Sequence, residues 1–143
     1  MSYWGSQPEF HLRLEEGQQP IAQLGFGRRL VRVGERVVQI AGVGAICVHP
    51  DRQGVGVGKR LLNELYQVLT QDVPADFGLL QCREAVVGFY ERGGFVRVPQ
   101  AARFLDPDEG QWVRHAGPTM TLPARSGLTG WPPGEIDLRG LPW

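Results

Sequence analysis

The chain has 143 residues, of which 42% are hydrophobic, and its fifteen basic residues balance fifteen acidic ones. This length is typical of one domain, and the hydrophobic content excludes a disordered chain. The balanced charge argues against a general nucleic-acid or membrane-surface binder. No apolar run approaches the roughly 20 residues that span a bilayer. The N-terminus lacks the basic and apolar regions of a secretory signal, so we expect a cytoplasmic protein.

The first third of the chain predicts antiparallel strands. Partly alternating or β-branched runs at 11–15, 20–32 and 37–48 are separated by turn residues such as those at 33–36. We expect a three-stranded meander. Pro50 cannot donate to a strand ladder, so the third strand should end near it.

The middle of the chain changes to a helical period. Apolar residues recur every three or four positions between 54 and 69, which predicts an amphipathic helix. Residues 77–80 predict a short buried strand and residues 84–92 a short helix. Gly93 and Gly94 are typical of a helix C-terminus, and another strand should occupy 95–98.

The last 45 residues contain seven of the eleven prolines, and only 118–122 is typical of a strand. Trp131, Leu138 and Trp143 would be poor choices for a solvated tail. We therefore expect residues 99–143 to pack as an extension on a single domain of residues 1–143. The two cysteines are too few for a disulfide framework and lack metal-ligand spacing, so we expect no metal site.

The strongest local pattern is ICVHPDRQGVGVGKRLL at residues 46–62. Alternate glycines between a strand and a helix let the backbone turn tightly and let a ligand approach the amides. The free N–H groups and the dipole at the helix start favour an anion such as phosphate. The segment fails the Walker A pattern, because Arg60 follows Lys59, and it lacks the third glycine of the dinucleotide fingerprint.

Together with AVVGFYERGGF at residues 85–95, this pattern resembles the two main motifs of the GNAT superfamily of acetyl-CoA-dependent N-acetyltransferases. The resemblance implies an α/β fold with a mixed, mostly antiparallel sheet, a splayed central strand pair and flanking helices. It also implies acetyl-CoA as co-substrate. The acceptor would be a primary amine of a small cationic molecule, with no role for nucleic acid or membrane.

The resemblance also implies roles for individual residues. The pantetheine arm would pair with the strand at 46–48, and the pyrophosphate would lie on the glycine loop. The cofactor-binding residues would be Ile46, Cys47, Val48, Gln53, Gly54, Val55, Gly56, Val57, Gly58 and Lys59. The amide of Val48 or its neighbour would donate to the thioester oxygen, and Tyr90 would protonate the departing thiolate. Gln81, Cys82 and Trp143 would contact the acceptor.

The catalytic candidates also have structural interpretations. Tyr90 could simply pack on Phe95. Glu84, a candidate general base together with His49, could be a helix N-terminal acid favoured by the dipole. Cys82 could be a small buried residue.

Two other interpretations concern the strand and the loop. Strand alternation places Cys47 on the opposite face from Ile46 and Val48, where we expect it to pack in the core. Arg52 and Lys59 flank the loop and could pair with a phosphate or remain solvated.

Within GNAT, the chain is most similar in pattern to the aminoglycoside 2′-N-acetyltransferases. The similar parts are the strand pair at 21–37, the segment 106–110, and the ending from Asp137 to Trp143. In that branch the carboxylate of a C-terminal tryptophan helps to bind the amino-sugar. Acidic residues in the C-terminal region would suit a cationic acceptor.

Two departures from that branch leave alternatives open. The chain begins about where the family's second strand begins, and Gly44 stands where the branch has a Glu base. The alternatives are a reduced domain that binds acyl-CoA or serves as a subunit without turnover, and a longer natural chain. A homodimer would cover the incomplete acceptor wall.

Overall fold

A mixed sheet organises the protein in a computed structural model, which describes residues 5–143. Its strands are β1 (Phe10–Glu16), β2 (Gln19–Val33), β3 (Arg36–Val48), β4 (Phe77–Gln81), β5 (Val96–Val98), β6 (Ala102–Leu105), β7 (Trp112–Arg114), β8 (Thr119–Pro123) and β9 (Ile136–Asp137). The order across the sheet is β5-β8-β4-β3-β2-β9-β6-β7, and β1 pairs with β2. The β3–β4 and β6–β9 pairs are parallel, and the others are antiparallel. The predicted fold class is confirmed.

Two helices flank the sheet, α1 (Val57–Gln67) and α2 (Val87–Arg92). A π-helical turn (Val68–Asp72) follows α1, and a 3-10 turn (Glu84–Val86) precedes α2. Further 3-10 turns lie at Pro50–Arg52 and Leu128–Gly130. Among the residues that the structure describes, no helix is long and apolar enough to cross a membrane.

The predicted meander is confirmed, and β2 and β3 join through a two-residue turn at Gly34 and Glu35. Gly34 has a φ of +60°, a conformation that glycine adopts at little cost. The predicted amphipathic helix is also confirmed. Its residues Leu61, Leu62 and Leu65 are fully buried against one face of the sheet.

The opposite face of the sheet is covered by the C-terminal part of the chain. Ile136 and Leu138 are fully buried there and share a core with Ile40 and Phe77. The prediction that only 118–122 forms a strand in this region was wrong, because β6, β7 and β9 also join the sheet. These strands have only two to four residues, too short to show a period in the sequence.

The central strands β3 and β4 part from each other midway. They pair only where Ile40–Gly42 faces Phe77–Leu79, although β3 continues to Val48 and β4 to Gln81. The part of β3 beyond Gly42 therefore has an edge with no partner strand in the described chain. This is the splayed pair that the sequence resemblance predicted.

A β-bulge in β3 sets which side chains face this gap. Gln23 pairs with Cys47 but Gly25 pairs with Gly44, so β3 has one extra residue in this interval. Ala45 has a φ of +53° at this point.

The bulge interrupts the alternation of side chains along β3. Ile46 and Val48 consequently pack on the helix side, together with Val43. Cys47 lies on the other face and is exposed. The prediction that Cys47 packs in the core was wrong, because it took no account of the sheet edge at this point.

The contact between α1 and the end of α2 depends on Gly93. A Cβ at this position would overlap the fully buried side chain of Leu62, with 2.7 Å to its Cβ. We predict that Gly93→Ala lowers the free energy of unfolding by about 1–3 kcal/mol, measured by denaturant titration. Gly127→Ala is the control, because its nearest neighbour lies 4.0 Å away, and it should change the stability little. Equal stability of the two variants would contradict this account of the packing.

Candidate active site

A cleft of about 580 Å³ opens where β3 parts from β4. We call it the Tyr90 cleft. Its lining residues are Ile46, Val48, Arg52, Gln53, Gly54, Gly56, Gly58, Lys59, Val86, Phe89, Tyr90 and Arg92. It thus brings seven of the ten predicted cofactor-binding residues together with Tyr90. The other three, Cys47, Val55 and Val57, are not among the described lining residues.

The glycine loop leaves open space in front of the α1 N-terminus. Gly54 and Gly56 have φ values of +77° and +88°, and a Cβ on either would meet no atom within 4 Å. The N–H of Arg60 donates to the carbonyl of Gly56, which begins the helix. The three preceding N–H groups therefore have no acceptor within α1. These unbonded amides, the open space in front of them and the helix dipole together favour the binding of a phosphate group.

The backbone of Val48 is directed into the gap between β3 and β4. The N–H of His49 donates to the carbonyl of Ile21 at 2.7 Å, so His49 faces β2. Because neighbouring residues in an antiparallel ladder point their backbone groups in opposite directions, Val48 points away from β2. Its carbonyl accepts a hydrogen bond from Gln53 Nε2 at 3.2 Å. The N–H of Val48 is thus available to a ligand in the cleft.

The two cations beside the loop differ in their partners. Arg52 Nε donates to Glu16 Oε2 at 2.6 Å, and this hydrogen bond raises the pKa of Arg52. Lys59 has no ion pair among residues 5–143. Lys59 is therefore better placed than Arg52 to pair with a ligand phosphate.

Tyr90 combines a packing role with a polar group in the cleft. Its ring makes edge contacts with Phe89 and Phe95, at centroid distances of 5.1 and 5.6 Å. Burial raises the pKa of Tyr90 to about 12, with a smaller contribution from the nearby Cys82. The phenol therefore holds its proton across the physiological range. The packing of Tyr90 on Phe95 is therefore compatible with a role as proton donor.

The predicted base Glu84 is engaged elsewhere. Its carboxylate accepts two hydrogen bonds from Arg97, at 2.8 and 3.1 Å, on the exposed surface. Glu84 is not among the described residues that line the Tyr90 cleft. His49, the other candidate, accepts a hydrogen bond from the N–H of Asp51 at 3.1 Å. The structure brings neither side chain to Tyr90.

The C-terminal end of β4 carries the predicted acceptor contacts. Cys82 is half-buried near Tyr90, and burial raises its pKa. Gln81 precedes it, and its Nε2 is buried without a hydrogen-bond partner among the described residues. His115 Nε2 is also buried without such a partner, and it lies close to Gly117 beside the Cys82 carbonyl. Sequence reasoning did not identify His115.

A second cavity, of about 510 Å³, lies on the sheet face opposite α1. We call it the Trp143 cavity. Its floor is formed by the cross-strand pairs Gly25–Gly44 and Gly27–Gly42. The indole of Trp143 lies against Gly42, so a side chain at Gly42 would overlap it. The cavity is lined by Gly5, Ser6, Gln7, Pro8, Glu9, Gly25, Phe26, Gly27, Arg28, Arg29, Gly42, Gly44, Ala45 and Trp143.

This cavity was not predicted, although the sequence contains a glycine pattern that indicates it. Glycines alternate at 25 and 27 in β2 and at 42 and 44 in β3, which removes side chains from one face of both strands. The strand register then places the two pairs side by side. Of the three predicted acceptor contacts, only Trp143 lines this cavity.

The sequence as a whole matches one family model. The model described as "Nodulation protein A (NodA)" matches residues 1–140. Nodulation protein A of Sinorhizobium terangae is 34% identical over 94 residues, which are 65% of this chain and 46% of that protein. Nodulation protein A of Mesorhizobium sp. strain 7653R is 27% identical over 155 residues, covering 94% of this chain and 72% of that protein. The match thus spans about half of the first relative and about three quarters of the second.

The fold is similar to that of solved acetyltransferase structures. The GNAT-family N-acetyltransferase YhbS of Escherichia coli, solved in complex with CoA, superposes with a TM-score of 0.64 at 19% identity. The superposition covers 92% of this chain and 67% of YhbS. The GNAT-type fold predicted from the sequence is confirmed. The chain belongs to the Nodulation protein A (NodA) family and has the GNAT fold.

Proposed function

We propose that this protein is an N-acyltransferase that takes an acyl group from a CoA thioester and transfers it to a primary amine. The proposal rests mainly on one observation. The Tyr90 cleft joins the open helix N-terminus, the free edge of β3 and a phenol that holds its proton. An acyl-CoA needs an anion site for its pyrophosphate, a strand edge for its pantetheine amides and a proton for its thiolate.

Different residues of the cleft would bind the cofactor and assist acyl transfer. The amides at the start of α1, with Lys59, would hold the pyrophosphate. When bound, acyl-CoA supplies a thioester whose carbonyl carbon bonds to the amine nitrogen as the carbon–sulfur bond breaks. The N–H of Val48 would donate to the carbonyl oxygen, on which negative charge develops. Tyr90 would give its proton to the departing sulfur, and the proton that the amine nitrogen loses would pass through water and restore the phenol.

The Trp143 cavity is our candidate for the acceptor side. It lies on the opposite face of the same part of β3, because Gly42 and Gly44 floor it while Ile46 and Val48 line the Tyr90 cleft. An amine in the cavity and a thioester in the cleft would thus meet at the bulge. Holding the two reactants together is itself a large part of catalysis.

Several finer predictions from the sequence stay predictions. Acetyl as the transferred group, a small cationic acceptor, the aminoglycoside branch, a cytoplasmic location and a homodimer are among them. The acidic residues that suggested a cationic acceptor make contacts outside the Trp143 cavity. Glu135 pairs with Arg114 at 2.6 Å, and Asp137 pairs with Arg103 at 3.8 Å.

The first prediction concerns the glycine loop. Gly56→Asp should weaken CoA binding about 10-fold or more, because it adds bulk and negative charge where the phosphate would lie. Calorimetric titration with CoA measures this. Gly110→Asp is the matched control, since Gly110 also has a positive φ (+67°) and open space around it. Unchanged CoA affinity in Gly56→Asp would contradict the assignment of the loop.

The second prediction concerns the proton donor. Tyr90→Phe should lower kcat about 10²–10⁴-fold and leave CoA affinity nearly unchanged, because the ring contacts remain and only the hydroxyl is lost. Thiol release from acetyl-CoA, or from longer acyl-CoAs, in the presence of amines measures turnover. Tyr66→Phe is the control, since Tyr66 is exposed and does not line the cleft. CoA binding by the wild type without turnover on any amine would instead favour a binding domain.

The third prediction concerns pH. Because the pKa of Tyr90 is raised to about 12, its acid form persists and should cause no loss of kcat below about pH 10. A pH profile of kcat for the wild type and for Tyr90→Phe tests this. A fall of kcat with rising pH that begins below pH 10 in the wild type and is absent from Tyr90→Phe would contradict the raised pKa of Tyr90.

A further inference from the structure

The Tyr90 cleft contains a cation, Arg92, that the proposed acyl transfer does not use. Arg92 is the last residue of α2 and lines the cleft together with Arg52 and Lys59. Arg52 is paired with Glu16, whereas Arg92 makes no ion pair among residues 5–143. None of the described residues that line the cleft is acidic. The charge of Arg92 is therefore available to an anionic group of a ligand.

Packing between the two helices brings Arg92 near the glycine loop. A Cβ at Gly58 would overlap the ring of Phe89, so α2 lies directly on the first turn of α1. Arg92 follows Phe89 by three residues, which places the two side chains on the same side of α2. A pyrophosphate at the start of α1 and a further anionic group at Arg92 would thus be about one helical turn apart.

Arg92 also lies where the Tyr90 cleft meets a second depression. This depression has a volume of about 550 Å³, and Asn63, Gln67 and Gly94 line it together with Arg92. It too contains no acidic side chain among its described lining residues. A ligand that extends from the cleft past Arg92 therefore finds room and meets no opposing negative charge.

We propose that Arg92 binds the 3′-phosphate of CoA and thereby selects the acyl donor by its nucleotide end. In the proposed function, the amides at the start of α1 and Lys59 hold the pyrophosphate, which leaves Arg92 for the second phosphate group. A phosphomonoester carries a charge of about −1.5 to −2 at neutral pH, and the fork of a guanidinium matches its oxygens. The assignment rests on the proposed function, because it requires the donor to lie in the Tyr90 cleft.

The test compares CoA with dephospho-CoA, which lacks only the 3′-phosphate. Calorimetric titration of the whole protein should show that CoA binds about 10–100-fold more tightly than dephospho-CoA. Arg92→Gln should weaken CoA binding to the level of dephospho-CoA and leave the affinity for dephospho-CoA unchanged. Equal affinity of the wild type for the two ligands, or a preference that survives Arg92→Gln, would overturn the proposal.

Arg83→Gln is the matched control for this loss of charge. Arg83 is exposed, immediately precedes the 3-10 turn that leads into α2, and does not line the Tyr90 cleft. The Arg83→Gln variant should therefore keep the preference for CoA. Arg92→Lys should keep part of it, because a lysine retains the charge but not the two-pronged contact. Loss of the preference in Arg83→Gln as well as in Arg92→Gln would contradict a specific contact with Arg92.

A second pair of variants neutralises Arg92 without removing it. Gly88 is exposed, and the atom nearest to a Cβ there is Nη1 of Arg92, at 3.3 Å. Gly88→Glu and Gly88→Gln fill the same space, but only the glutamate would pair with Arg92. Gly88→Glu should weaken CoA binding at least about 10-fold relative to Gly88→Gln, with a much smaller effect on dephospho-CoA. Equal CoA affinities of the two variants would overturn the proposal.

Kinetics with acetyl-CoA and acetyl-dephospho-CoA separates this proposal from the proposed function. Arg92→Gln should raise the KM for acetyl-CoA about 10-fold or more and leave kcat nearly unchanged, because the 3′-phosphate is remote from the thioester. Turnover with equal kcat/KM for the two donors would overturn the role of Arg92 and support the acyltransferase. A CoA preference that depends on Arg92, in a protein that acylates no amine, would support the phosphate site and overturn acyl transfer. Binding of neither CoA nor dephospho-CoA would overturn both.

Discussion

The parting of β3 from β4 beyond Gly42 is the constraint on which the site depends. The two strands pair up to Gly42, and beyond it this edge of β3 has no partner strand among residues 5–143. The α1 N-terminus and Tyr90 lie around the resulting gap. The bulge at Ala45 shifts the alternation of β3, so that Ile46 and Val48 face the gap while Gly42 and Gly44 face the Trp143 cavity. The parting of the strands and the bulge thus place the Tyr90 cleft and the Trp143 cavity on opposite faces of the same part of β3.

The two cavities differ in the groups that provide their positive charge. In the Tyr90 cleft, backbone amides and Lys59 provide a positive environment, and Tyr90 contributes a neutral acid because burial raises its pKa. In the Trp143 cavity, Arg29 provides a side-chain cation held by backbone carbonyls. A phosphate-bearing thioester would find a complementary surface in the Tyr90 cleft. Electrostatics of this kind selects ligands more than it adds affinity.

The Tyr90 cleft could be predicted from the sequence because its determinants are local. The glycines at 54, 56 and 58 and the spacing from Ala85 to Phe95 lie within two short segments, and each specifies a turn or a helix end. The Trp143 cavity could not be predicted in this way, since it depends on the register that sets Gly25 opposite Gly44. Strand alternation placed Cys47 on the correct face, but it does not reveal that this part of the face lies at the sheet edge and is exposed. Strands β6, β7 and β9 were missed because their pairing, not their own sequence, makes them strands.

We expect an acyl-CoA to bind between β3 and β4, and the proposed function depends on this. Hydrogen–deuterium exchange, followed by mass spectrometry with and without saturating CoA, tests it most directly. We predict that CoA slows exchange in the peptides that contain residues 46–48 and 54–59, because amides in these segments would then donate to the ligand. Bound CoA that leaves these amides unprotected, or that protects another face of the sheet instead, would contradict it.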